Sequence, residues 1–260
     1  MPGSELKLGR ATRHFNEVSA LLAAFKNPTP YEIRRDENPD TGLSFWITLN
    51  RKPPDDISLA AGDCIHNLRS ALDHIVYELS CHHRQAVHVG GTGFPIYANP
   101  KDWDEKDGQG KVRTTSGLHK LRAVPEPALK RIELHQPYHG LEPMYWTRER
   151  LLHVHQLDIA DKHRNLNLAV ANVPEHSVLY GHDGPPFKVI HVHQGRLNEG
   201  IDTLLLRFDP SIDVHAKVQP YTFVEVVFAD PPVEDWEVSS TLQGLIVGVA
   251  SVLSEIRAFF

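Results

Sequence analysis

The stretch from Ile57 to Leu79 constrains the fold of this chain more than any other segment. At about 100° per residue, Ile57, Ala61, Cys64, Leu68, Leu72, Ile75, Val76 and Leu79 fall on one broad apolar stripe, which requires a helix turned toward a core. Pro53 and Pro54 end the segment before it, and Asp55 or Asp56 is the expected N-cap. The opposite face carries Asp63, His66, Asn67, Ser70, Asp73, His74 and Tyr77, with Arg69 at its border. Solvent faces of helices favour Lys and Glu. Here His, Asn, Arg and Asp take their place, the groups used for proton transfer and anion contact.

Charge and composition narrow the options. A net charge of −6 argues against a generally basic nucleic-acid surface, although a local basic patch is compatible with it. Histidine is abundant, at 17 residues, so the balance shifts as the pH approaches 6. The two cysteines, Cys64 and Cys81, have no metal or redox spacing, and Cys64 lies on the apolar stripe. That usage fits a reducing cytoplasm. Met1-Pro2-Gly3-Ser4-Glu5 lacks the apolar run of a signal peptide. Val238 to Ser254 is uncharged but diluted by Ser, Thr, Gln and Gly, so a buried C-terminal helix is expected and no membrane association.

Periodicity sets out the other elements. Phe15, Val18, Leu21, Leu22 and Phe25 predict a helix over Arg13 to Phe25. Tyr31 to Arg35 and Leu43 to Leu49 predict a hairpin, joined by turn formers from Asp36 to Gly42. His82, His83 and Arg84 suit a helix C-terminus. A long loop is expected from Gly90 to Lys111, pinned by Phe94-Pro95-Ile96, then helices over Pro127 to His135 and Thr147 to Arg164. Leu166 to Val173, Phe187 to His193, Thr203 to Phe208 and Thr222 to Phe228 read as strands, and a last helix begins near Val233.

The expectation is one α+β domain over residues 1–260: a helical bundle packed on a mostly antiparallel sheet formed by the N-terminal hairpin and a C-terminal meander. Its helical part spans about 53–165, its β-rich part about 166–230 and its C-terminal helix about 233–258.

A second polar constellation lies on the Thr147 to Arg164 helix. The stripe that begins with Leu151 and Val154 continues into His155, Asp158, Asp161 and Lys162. An apolar stripe faces a partner, so its charged continuation belongs beside a packed interface. If the two polar faces meet, Asp73 or Asp161 orients His74, and Arg69 or Lys162 holds an anion. Asn67, His66, Lys162, His163 and Arg164 are the expected substrate-binding groups.

Arg69-Ser70-Ala71-Leu72-Asp73-His74 resembles the Arg-X4-His signature of the HEPN superfamily, helical domains that often act as metal-independent ribonucleases in toxin and defence systems. The resemblance implies that Arg69 contacts the scissile phosphate and His74 is the general acid or base. It also implies a site completed by the same motif of a second subunit, hence a homodimer. Asn67 to His74 together with Asp158 to Arg164 also resembles bacterial proteins of this length that bring no established activity.

The expected function is therefore cleavage of RNA, or action on another phosphate-bearing ligand, without a cofactor. Arg69, His74, Asp73 and Asp161 are its catalytic candidates. Two alternatives stand beside it. One is a non-catalytic binding protein with a buried polar network. The other is a divalent-metal site built from His74, His155 and Asp158.

Overall fold

The protein's structure, a computed structural model, describes residues 2–38, 40–83, 91–140, 145–172, 179–181, 189–209, 219–222 and 224–260. The helices are α1 (Gly3–Lys26), α2 (Asp55–His83), α3 (Gly117–Lys120), α4 (Glu126–Leu134), α5 (Tyr145–His163) and α6 (Val238–Arg257). The apolar stripe of α2 is buried along its whole length, from Ile57 to Leu79. Asp55 and Asp56 stand inside the first turn rather than at the cap, where their charges complement the positive end of the helix dipole. The helix ends at His83, and Arg84 lies outside the described residues.

The chain folds as two compact units. The first comprises Met1–Val18, Leu59–Leu166 and Ser239–Phe260; the second comprises Ser19–Ser58 and Asn167–Val238.

The first unit is helical. Here α1 begins ten residues before the predicted Arg13, because its first turn is satisfied from afar. The Ser4 amide donates to Glu78 Oε1 at 2.7 Å and the Ser4 hydroxyl to Oε2 at 2.8 Å, a long-range cap that no local pattern reveals. Leu151, Val154 and Leu157 bury one face of α5, and Leu242, Leu245, Val249, Val252 and Ile256 one face of α6. By length and composition α6 is apolar enough to cross a membrane, yet it has this buried face.

The expected pin of the long loop forms: Phe94 and Ile96 are buried, although Gly90 lies outside the described residues. Gln136 fastens the same segment, donating to Pro95 O at 2.9 Å and accepting from the Tyr97 amide at 3.1 Å. Between α2 and α5 the Asp161 side chain packs directly against Gly62. A Cβ there would overlap Asp161 Oδ1.

The second unit holds the strands: β1 (Tyr31–Asn38), β2 (Gly42–Leu49), β3 (Leu168–Asn172), β4 (Leu179–Gly181), β5 (Val189–Val192), β6 (Gly195–Leu197), β7 (Asp202–Phe208), β8 (Gln219–Tyr221) and β9 (Val224–Phe228). The hairpin closes on the pair Asn38↔Gly42. Asn38 Oδ1 accepts from the Asp40 and Thr41 amides at 2.8 and 3.3 Å, and Gly42 adopts φ 83°. It continues into a four-stranded antiparallel sheet of order β1-β2-β7-β5, as the α+β reading expects.

Of the later strands, β7 and β5 join the hairpin in that sheet. β3 pairs with β6 and β9 in a second sheet, and β4 with β8 in a third. Val173, Phe187 and Lys188, at the edges of predicted strands, lie outside the described residues. The last helix starts at Val238, five residues later than expected. The backbone before it is taken up by β9: Phe228 N donates to Trp236 O at 3.0 Å, and Asp235 N to Phe228 O at 2.8 Å. Arg196 holds this turn through Asp235, Glu234 and the Ala229 carbonyl.

The Gly62 approach makes a direct prediction. Alanine ordinarily stabilises a helix interior by about 1 kcal/mol over glycine. Gly62→Ala should instead destabilise the protein by about 1–3 kcal/mol in denaturant unfolding, because the methyl displaces Asp161. Adding Asp161→Ala should recover most of that loss, and a Gly62→Ala protein as stable as the parent would refute the contact.

Candidate functional site

Within the helical unit, the polar faces of α2 and α5 meet at Asp158. Its side chain is 3% exposed and both oxygens are engaged: His66 Nδ1 stands 3.2 Å from Oδ1, and Lys162 Nζ donates to Oδ2 at 2.6 Å. His66 is half exposed, as is Lys162. The helical spacing explains this set. Asp158 and Lys162 are neighbours four apart on α5, and Asp158 lies one turn beyond the buried Val154. The carboxylate therefore enters the interface on the same ridge as the apolar groups. A buried carboxylate without donors is strongly disfavoured, so these two partners are needed to keep it there.

A carboxylate only accepts, so the Asp158 contact puts the proton of a neutral His66 ring on Nδ1 and leaves a lone pair on Nε2. Asp161, resting against Gly62 in the same seam, has its pKa raised by burial first and then by the nearby Asp63 and Asp158 carboxylates.

A second arrangement lies further along α2. Arg69 donates from Nη2 to the Phe94 carbonyl at 2.8 Å and pairs with Asp73 at 3.1 Å; Asp73 Oδ1 in turn accepts from the Phe94 amide at 2.8 Å. Two side chains one turn apart thus clasp both backbone groups of one residue, which is how the Phe94 segment is pinned. Arg69 Nη1 and His155 Nδ1 are buried with no hydrogen-bond partner among the described residues. Burial lowers the His155 pKa, helped by the charges of Arg69, Lys120 and Lys162 against that of Asp158.

The predicted residues thus separate. His66, Asp158, Asp161 and Lys162 come together, and Arg69 comes with Asp73. Asp73 is committed to Phe94 and Arg69 rather than to His74. His74 faces α1, where a Cβ on Gly3 would approach its Nδ1 to 2.5 Å. The reason is angular: five residues along a helix turn the side chain by about 140°, so Arg69 and His74 serve different neighbours. Asn67 donates back to the Asp63 carbonyl at 2.8 Å, within its own helix. His163 and Arg164 are exposed at the end of α5. Among the described residues no group of three His, Cys, Asp or Glu side chains is placed to hold a metal, the set His74, His155 and Asp158 included. Burial pushes the Cys64 thiol up to about 12, which removes it as a nucleophile.

Sequence reasoning missed Gly62, Thr92 and Lys120. Gly62 announces itself only as a lone glycine inside a strongly periodic helix. Thr92 and Lys120 come from the segments after α2, and only the tertiary fold brings them near it. The chain matches none of the protein-family models, curated proteins or solved structures with which it was compared.

Three histidines make the fold sensitive to acid. His135, His153 and His155 all have pKa values lowered from 6.5, with burial the leading cause in each. The unfolded rings take up protons as pH falls through 6.5 while the folded ones resist, so stability is complete above that value and is lost below it. The thermal midpoint should therefore drop between pH 7.5 and 5.5, and His135→Gln should shallow that drop. An unchanged or higher midpoint at pH 5.5 would contradict the assignment.

Proposed function

We propose that this protein cleaves RNA phosphodiester bonds without a metal, by acid–base catalysis centred on His66. The observation that carries the reading is the buried Asp158 carboxylate at His66 Nδ1, which orients a half-exposed imidazole with its Nε2 lone pair available. In this scheme His66 Nε2 takes the proton of the ribose 2′-hydroxyl, and the 2′-oxygen attacks phosphorus. The 5′-oxygen leaves with a proton from Asp161, whose carboxyl holds its proton to higher pH than usual. Lys162 offsets the charge that develops on the phosphate oxygens. The reaction class is that implied by the HEPN resemblance. The proton-transfer role passes from His74 to His66, and all the groups come from one chain.

A second reading is favoured by one observation: both oxygens of Asp158 are already occupied inside the fold. On that reading the seam is a structural network of a non-catalytic binding protein.

One comparison decides between them. Purified protein in excess EDTA should cut a labelled single-stranded RNA, and His66→Ala should slow the cut about 10²- to 10⁴-fold in protein still folded at the assay temperature. Asp158→Asn should slow it as well. A parent protein that leaves RNA intact, or a His66→Ala variant as active as the parent, overturns the catalytic reading in favour of the structural one.

A further inference from the structure

Where α1 begins and α6 ends, the helical unit holds an open cavity of about 270 Å³ lined by Pro2, Ile75, Glu78, Arg257 and Phe260. We propose that this cavity binds a small organic amine, with its hydrocarbon body against Pro2, Ile75 and Phe260 and its ammonium group on the Glu78 carboxylate. Glu78 lies twelve residues beyond His66 on α2, about 18 Å along the helix axis, so this site is separate from the seam at Asp158. It does not depend on the RNA reading.

Size and lining call for an apolar body. A cavity of about 150 Å³ walled by aliphatic and aromatic side chains takes up benzene, so this larger one has room for a ring and a short chain. Most of the surface it presents is apolar. Ile75 is fully buried, and Phe260 is 44% exposed. The Phe260 segment is held in place: its ring meets that of His82 at 5.5 Å between centres, and His83 Nε2 donates to the Phe259 carbonyl at 2.9 Å. A wall fixed beforehand loses little freedom when a ligand arrives.

The charges in the cavity select the head group. Arg257 forms an ion pair with Glu5 and donates from Nη2 to Ser4 Oγ at 3.1 Å. Glu78 has neutral partners instead, the Ser4 amide at 2.7 Å and the Ser4 hydroxyl at 2.8 Å. Among the described residues no ion pair answers its charge, and the positive end of α1 offsets only part of it. An ionised carboxylate has about four acceptor positions, and the Ser4 donors use two of them. The others are open to a ligand, and an ammonium group brings both donors and the complementary charge. An anionic ligand would meet a guanidinium already neutralised by Glu5, with Glu78 repelling it.

The test is calorimetric titration of the full chain with phenethylamine at about pH 8, where free imidazole is neutral and a primary amine is charged. Phenethyl alcohol and hydrocinnamate, of similar shape, are the neutral and anionic comparisons. Phenethylamine should bind saturably, about 10-fold more tightly than the alcohol, and hydrocinnamate should bind least. Phe260→Ala removes a wall and should weaken amine binding about 5-fold while the melting temperature holds. Glu78→Gln keeps an acceptor for Ser4 and should erase the preference for the amine over the alcohol. Glu78 also caps α1, so that variant is read in protein with the parent's helical signal, and Phe260→Ala stands without it. No saturable binding of phenethylamine, equal affinity for all three probes, tightest binding of the anion, or unaltered amine affinity in Phe260→Ala overturns the proposal. An amine preference that survives Glu78→Gln overturns it as well.

Discussion

A carboxylate withdrawn from water has to be met by donors from whatever packs against it, and Asp158 is met by His66 across the helix seam and by Lys162 on its own helix. That requirement organises the polar half of the helical unit. In the same seam the Asp161 side chain lies so close to Gly62 that a side chain there would overlap it. The Asp158 carboxylate also selects the ring nitrogen of His66 that carries the proton. Removing either donor would leave the charge buried and undercompensated, which is disfavoured far more than loss of an exposed ion pair.

The same logic governs Arg69. As the leading residue of the Arg-X4-His motif it would be free to meet substrate, yet its Nη2 holds the Phe94 backbone in place with Asp73. A side chain committed to structure on one edge is positioned by that commitment on the other. Arg69 Nη1 is buried and has no hydrogen-bond partner among the described residues.

Elements with a strong period were legible from the residues alone. The α2 stripe is buried throughout, and the hairpin pairs as its alternation and turn chemistry require. The meeting of the two polar faces was legible too, because the buried ridge of α5 runs from Val154 into Asp158. What could not be read depended on contacts distant in sequence. Glu78 extends α1 by capping Ser4, and β9 with Arg196 delays α6 to Val238. The identity of the histidine on Asp158 follows from the rotation of one helix against another, which periodicity leaves open. Local pattern paired His74 with Asp73 or Asp161, whereas packing sets His66 against Asp158.

The central claim is that Asp158 orients His66, and the ring nitrogens report it directly. The 15N chemical shifts of neutral His66 should show the proton on Nδ1, and that preference should disappear in Asp158→Ala protein that remains folded. A neutral ring protonated on Nε2 in the parent, or one whose tautomer is the same with and without the Asp158 carboxylate, would contradict the account.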